Sequence, residues 1–91
     1  MKSHVFFGKR YRIEELPEDH ADRGLCDAPD TKEKAISIRK GLAEKERLEI
    51  LVHEALHACS WYWDEEGVEL SAEDISAFLW RDGWRRSRPS K

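Results

Sequence analysis

Long apolar runs are missing from this sequence, and so are the marks of fibrous, repetitive or disulfide-built chains. No stretch comes near the ~20 apolar residues that a membrane-spanning helix needs. The segment MKSHVFFGKRYR lacks the long apolar core and small-residue cleavage site of a secretory signal, so a cytoplasmic chain is expected. Only two cysteines occur, Cys26 and Cys59, far apart and in no CxxC pair, so neither a thiolate zinc site nor a disulfide framework is expected. Cys59 falls in an apolar helical pattern and reads as a small core residue. The five Gly and three Pro are scattered, which excludes collagen-like, low-complexity and solenoid classes. There is no excess of positive charge. Sixteen Lys and Arg face nineteen Asp and Glu, for a net charge of −3. A nucleic-acid partner is therefore not expected, because such binders are usually basic.

What is present is a polar but foldable chain. Charged residues make up 38% and apolar residues 40%, yet nine aromatics, four of them Trp, argue against disorder. The 91 residues suit one domain, which at this size hides about 60–65% of its unfolded surface. A core of this kind supplies roughly 3–5 kcal/mol, so a bound metal or a partner would add usefully to it. The basic residues gather in RDGWRRSRPSK, where Arg81, Arg85, Arg86, Arg88 and Lys91 face one acid, Asp82. This reads as a solvated end, or as a contact for a phosphate or an acidic partner.

The periodicities change once along the chain. VFFGKRYRI, residues 5–13, is rich in β-branched and aromatic residues and predicts a strand. LPEDHADRG reads as a loop, GLCDA (24–28) as a short strand, and KAISIR (34–39) alternates at period two. Such short spacings favour antiparallel hairpins. From Leu42 to about Trp61 the residues are good helix formers, with Leu48, Leu51, Val52, Ala55, Leu56 and Cys59 in one broad apolar stripe. Asp64 then suits the N-cap of a second helix that carries Val68, Ala72, Ile75 and Leu79 on one face and ends near Asp82-Gly83. The expectation is a single α+β domain over 1–91. Strands over about 5–39 form a small antiparallel sheet of about three strands. Helices over about 42–61 and 64–82 follow, then a basic tail at 83–91.

One motif stands above the background: His53-Glu54-Ala55-Leu56-His57. Residues i and i+4 of a helix lie on one face, so two imidazoles can share one metal ion. Neutral imidazole suits Zn2+, and an acid directly after the first ligand can take a proton from water at the open coordination position. Shuffling this composition would give H-E-x-x-H roughly once in fifty chains. The competing reading is two exposed helix histidines without a ligand. A catalytic zinc site usually has three protein ligands. No third His follows at the HExxHxxGxxH spacing, and His4 and His20 lie upstream. Four glutamates lie downstream: Glu65, Glu66, Glu69 and Glu73. Glu65 continues the Val68/Ala72 stripe three residues back and so points toward the first helix. Glu66 and Glu69 are rotated about 100° or more to the side. The order of preference is Glu65, Glu66, Glu69. Asp74 is a candidate hydrogen-bond partner for a ligating imidazole.

The segment LEILVHEALHACSWYWDEEGVELSAEDISAFLWRDGWR resembles the minimal gluzincin zinc peptidases of phage and bacterial genomes, distant relatives of the ImmA/IrrE and SprT-like metallopeptidases. GLCDAP…KAISIR is similar to the short hairpin that precedes their active helix. The resemblance implies a zincin-like core, with His53 and His57 as metal ligands, Glu54 as general base and acid, and a glutamate ligand on the following helix. No His, Tyr or Arg is matched to the family's transition-state-stabilising residue; Tyr62 and Arg81 are only guesses for it. The implied activity is peptide-bond hydrolysis with zinc as cofactor. So small a chain suits a narrow protein or peptide substrate, held along a sheet edge, or a partner protein that completes the cleft. The alternative is a non-catalytic, zinc-stabilised interaction module. There the ligands staple two helices and Trp61, Trp63, Trp80 and Trp84 supply contact surface, although core packing is expected for Trp61 and Trp80.

Overall fold

The computed structural model describes residues 2–87, so Arg88 and Lys91 of the basic tail lie outside the described residues. The chain runs β1 (Ser3–Phe6), β2 (Lys9–Leu16), β3 (Gly24–Cys26), β4 (Ala35–Arg39), α1 (Glu44–Cys59) and α2 (Glu65–Arg81). This is the expected α+β order, a sheet followed by two helices. No helix among the described residues is long and apolar enough to cross a membrane.

The sheet differs from expectation in two ways. It has four strands, in the order β1-β2-β4-β3, and it is mixed. The expected single strand over 5–13 is a hairpin, with Phe6 opposite Lys9 and a turn at Phe7-Gly8. Both turn residues have positive φ, 48° and 79°, as a two-residue hairpin turn requires. The usual Asn-Gly or Asp-Gly signal is replaced by Phe-Gly, which reads as uninterrupted strand. The second difference is the parallel pairing of β2 with β4, from Arg12↔Ala35 to Leu16↔Arg39. Residues 17–34 are long enough for a parallel crossover. They swing past β4 and lay β3 antiparallel along its far side, Leu25 opposite Ser37. β3 is therefore an edge strand.

Strand β4 is central and the most buried, with Ile36 and Ile38 facing Tyr11 of β2 and Ile50 and Ala58 of α1. Tyr11 is fully buried, and its hydroxyl donates to the carbonyl of Asp27 at 3.2 Å. Helix α1 lies between the sheet and α2, which is why most of its residues are at least half-buried. Its most enclosed line is Ile50, Glu54 and Ala58. Cys59, expected in the core, is exposed at the end of the helix.

Helix α2 begins as expected. The Asp64 carboxylate accepts from the backbone N–H of Gly67 at 2.7 Å, and Glu65 and Glu66 occupy the first turn. Val68 and Ala72 pack inward, but the next inward position is Ser76 (5% exposed), not Ile75 (40%). The hydroxyl of Ser76 is satisfied by the carbonyl of Glu73 at 3.2 Å, so the seam accepts it. The buried line thus steps 68, 72, 76, the i, i+4 ridge of helix packing, instead of turning through 75.

Candidate metal centre

The site starts from helical period and from one cap. On α1, His53 and His57 project from one face toward α2, and their Nε2 atoms stand 3.2 Å apart. The Asp64 cap fixes where α2 starts, and this sets Glu65 in the first turn opposite both rings. One Glu65 oxygen is 3.0 Å from Nε2 of His53 and the other 3.3 Å from Nε2 of His57. Both imidazoles are largely enclosed, while Glu65 reaches in from an exposed position.

These three side chains could hold a metal ion, and their ligand atoms all lie within 4.8 Å of one another. Donors at the corners of a tetrahedron with bonds of about 2.0–2.1 Å lie about 3.3–3.4 Å apart. The two Nε2 atoms, 3.2 Å apart, fit two corners of such a tetrahedron, and each stands 3.0–3.3 Å from a different oxygen of Glu65. Two imidazoles and a carboxylate are also the donor types that zinc accepts in sites with an open fourth position.

Glu54 turns the other way around α1, toward the sheet, and is 7% exposed. Burial raises its carboxyl pKa above the ordinary range. His53 opposes the rise, while the charges of Glu65 and Asp22 add to it. An acid that holds its proton more tightly than usual is suited to move protons near neutral pH. The backbone of β3 comes close to Glu54 at Gly24. A Cβ there would lie 2.5 Å from Cγ2 of Ile50 and 2.8 Å from Oε2 of Glu54, so only glycine lets the edge strand come this close.

A cleft of 440 Å³ opens over the cluster, lined by Leu25, Cys26, Trp61, Trp63 and the four residues His53, Glu54, His57 and Glu65. Trp61 stands edge-on to His57, with ring centroids 6.2 Å apart. Burial, with the charges of Glu54 and Asp27, pushes the Cys26 thiol up to about 12. A separate apolar groove of 430 Å³ lies between the start of α1 and the end of α2, lined by Leu48, Leu51, Leu79, Trp80 and Trp84 together with Glu44, Arg47, Arg85 and Arg86. The Arg85 guanidinium lies 3.3 Å over the Trp80 ring and donates to the carbonyls of Trp80 and Trp84.

Of the glutamates weighed from the sequence, only Glu65 joins the two histidines among the described residues. Glu66, Glu69, Glu73 and Asp74 are exposed along α2. His4 stacks edge-on against Phe6, and Nδ1 of His20 accepts from the backbone N–H of Asp22. Tyr62 is 95% exposed and Arg81 is exposed at the end of α2. Trp61 and Trp80, expected in the core, instead form walls of the cleft and of the apolar groove. Gly24 is the residue that sequence reasoning missed. A glycine inside a strand is the available signal of close approach. Comparison with protein-family models, with curated proteins and with solved structures finds no match to this chain.

Proposed function

We propose that the chain is a zinc-dependent metallopeptidase of the minimal gluzincin kind, acting in the cytoplasm on a narrow protein or peptide substrate. The observation that carries this reading is the convergence of His53, His57 and Glu65, whose ligand atoms lie within 4.8 Å of one another, with the buried Glu54 carboxyl beside them. His53, His57 and Glu65 would hold the ion. Bound there, zinc supplies a Lewis acid that polarises the scissile carbonyl and acidifies water. Glu54 takes a proton from the attacking water as the new C–O bond forms. It returns that proton to the amine nitrogen as the C–N bond breaks. The Glu54 side chain is largely enclosed against β3, where the backbone of Gly24 comes close to it. The free edge of β3 lines the cleft, and an extended substrate could add there as a further strand. The thiols of Cys26 and Cys59 are both free, which suits a reducing compartment.

A second reading, a zinc-stabilised interaction module, draws support from the apolar groove, whose lining also carries Arg47, Arg85 and Arg86 against one acid, Glu44. Two measurements separate the readings: metal content by mass spectrometry, and cleavage of a peptide mixture read as new termini. The peptidase reading expects about one zinc per chain, lost in His53→Ala, and cleavage that disappears in Glu54→Gln while zinc stays. Full zinc with no cleavage by the wild type would leave the module. Wild-type protein that takes up no zinc would end both.

A further inference from the structure

The cleft over the cluster is one of two cavities that meet at Gly24, His53 and Glu54. The second, of 290 Å³, continues along the start of β3 and is lined by Asp22, Arg23, Glu49, Ile50 and Glu69. The residue numbers order the two cavities along the same groove. On β3 and the loop before it, residues 21–24 border the second cavity and residues 24–26 the first. On α1, Glu49 and Ile50 border the second cavity and His57 the first, with Trp61 following the helix. On α2, Glu69 borders the second and Glu65 the first. His53 and Glu54 stand at the junction. Glu54 is more than nine-tenths buried, lines both cavities, and has no hydrogen-bond partner for its carboxylate among the described residues.

The two ends differ in chemistry. At one end Leu25, Trp61 and Trp63 make an apolar, aromatic wall. At the other, Asp22, Glu49 and Glu69 present three carboxylates. Among the described residues the one Lys or Arg lining that end, Arg23, is already paired with Glu46 at 2.7 Å. An extended segment lying along β3 advances about 3.3 Å per residue, and side chains two residues apart share a face about 6–7 Å apart. Such a segment passes over both ends of the groove with its middle at the cluster.

We infer that this groove selects an extended peptide with a basic side chain on one side of the His53–Glu54 junction and a large apolar or aromatic side chain on the other. The inference rests on the proposed function, because it takes the cluster as the place where the peptide is held. Asp22, Glu49 and Glu69 select the basic residue through charge. Trp61, Trp63 and Leu25 select the apolar one through area removed from water.

The test uses the zinc-loaded Glu54→Gln protein, so that binding is read apart from turnover. The probes are dye-labelled, end-blocked nonapeptides on a Gly/Ser backbone that carry Lys/Phe, Glu/Phe, Lys/Ser or Glu/Ser pairs flanking the centre, each in both orders. In fluorescence polarisation one order of the Lys/Phe peptide should bind about tenfold tighter than Glu/Phe, the weight of one or two exposed ion pairs. It should also bind about tenfold tighter than Lys/Ser, since burying even part of a Phe ring is worth that much. The exposed double change Asp22→Lys with Glu69→Lys should erase the Lys preference and keep the Phe preference. Trp63→Ala should do the reverse, with circular dichroism checking that both variants keep the fold. Equal binding of all the peptides, binding of none, or preferences that survive the variants would overturn the inference. Wild-type cleavage of the same peptides is read separately. No cleavage with the preferences intact ends the peptidase reading alone, and cleavage without preference ends this inference alone.

Discussion

Replacing Gly24 with alanine adds one methyl group where atoms of two α1 side chains already converge. The new Cβ would stand 2.5 Å from Cγ2 of Ile50, 2.8 Å from Oε2 of Glu54 and 3.1 Å from Cγ of Glu54. Two effects oppose each other. Alanine stiffens the unfolded strand and on its own would stabilise by about 0.5–1 kcal/mol. The overlap acts against it, because Ile50 is buried in the core beside Ile36 and Ile38 and moving it would disturb that packing. Overpacking of this kind costs about 1–3 kcal/mol. The penalty wins, so a net loss of about 0.5–2 kcal/mol is expected, which for a domain of this size lowers Tm by about 2–15 °C. Relief comes most easily by pushing β3 outward or by turning Glu54 away, and either motion opens the cleft at the cluster. Zinc content should therefore stay near the wild-type value, since Gly24 touches none of the three candidate ligands in this way. Peptide cleavage should fall by about 10²-fold, the effect of misplacing a catalytic group by about 1 Å. Thermal unfolding followed by circular dichroism, zinc analysis and a cleavage assay give the three readouts. A Gly24→Ala protein as stable and as active as the wild type would refute the close approach of β3 to α1.

Three further outcomes follow from the same geometry. Glu54→Gln should stabilise the metal-free protein by about 0.5–2 kcal/mol near pH 7, the size of a function-for-stability exchange. The folded value is raised above 4.5, so the stability linked to Glu54 is whole below that pH and is lost as pH rises through the folded value. The gap between variant and wild type should open as pH climbs from about 4 to about 7, and calorimetry showing a constant gap or none would refute it. Iodoacetamide at about pH 8 should label the exposed Cys59 at least about a hundredfold faster than Cys26, whose thiol is held near 12 and so is scarcely ionised. Equal labelling by mass spectrometry would contradict the burial of Cys26. Tyr11 is likewise pushed up to about 12, first by burial and then by the neighbouring Cys26. The two groups give stability that is whole below their ordinary values of 9.0 and 10.0 and is lost as pH rises toward 12. Tm should therefore decline from about pH 9 upward, and a flat profile to pH 11 would count against it.

The helical half of the molecule was legible because helical order is local. A 3.6-residue period puts His53 and His57 on one face whatever lies around them. Asp64 before two acids marks a helix start by its own hydrogen bond to Gly67. Counting back from Val68 placed Glu65, ahead of Glu66 and Glu69, on the side that meets α1. The same counting failed at the far end of α2, where it favoured Ile75 by hydrophobicity. Packing ridges chose Ser76, whose hydroxyl can be satisfied within its own helix.

Strand pairing is not local, and there the sequence alone decided less. The short, evenly spaced strand signals determined that a sheet precedes the helices. They held nothing that distinguishes an antiparallel pairing of β2 with β4 from the parallel one that forms, because either would bury the same Ile36 and Ile38. Nor does a motif on one face of α1 say what its other faces meet. Only the tertiary structure turned Glu54 into a groove between helix and edge strand. It also brought Gly24 against Glu54 and set an aromatic wall on one side of the cluster and carboxylates on the other. Residue types and helical spacing determine which groups can act together. The approach of distant backbones determines how dry, how close and how selective that action is.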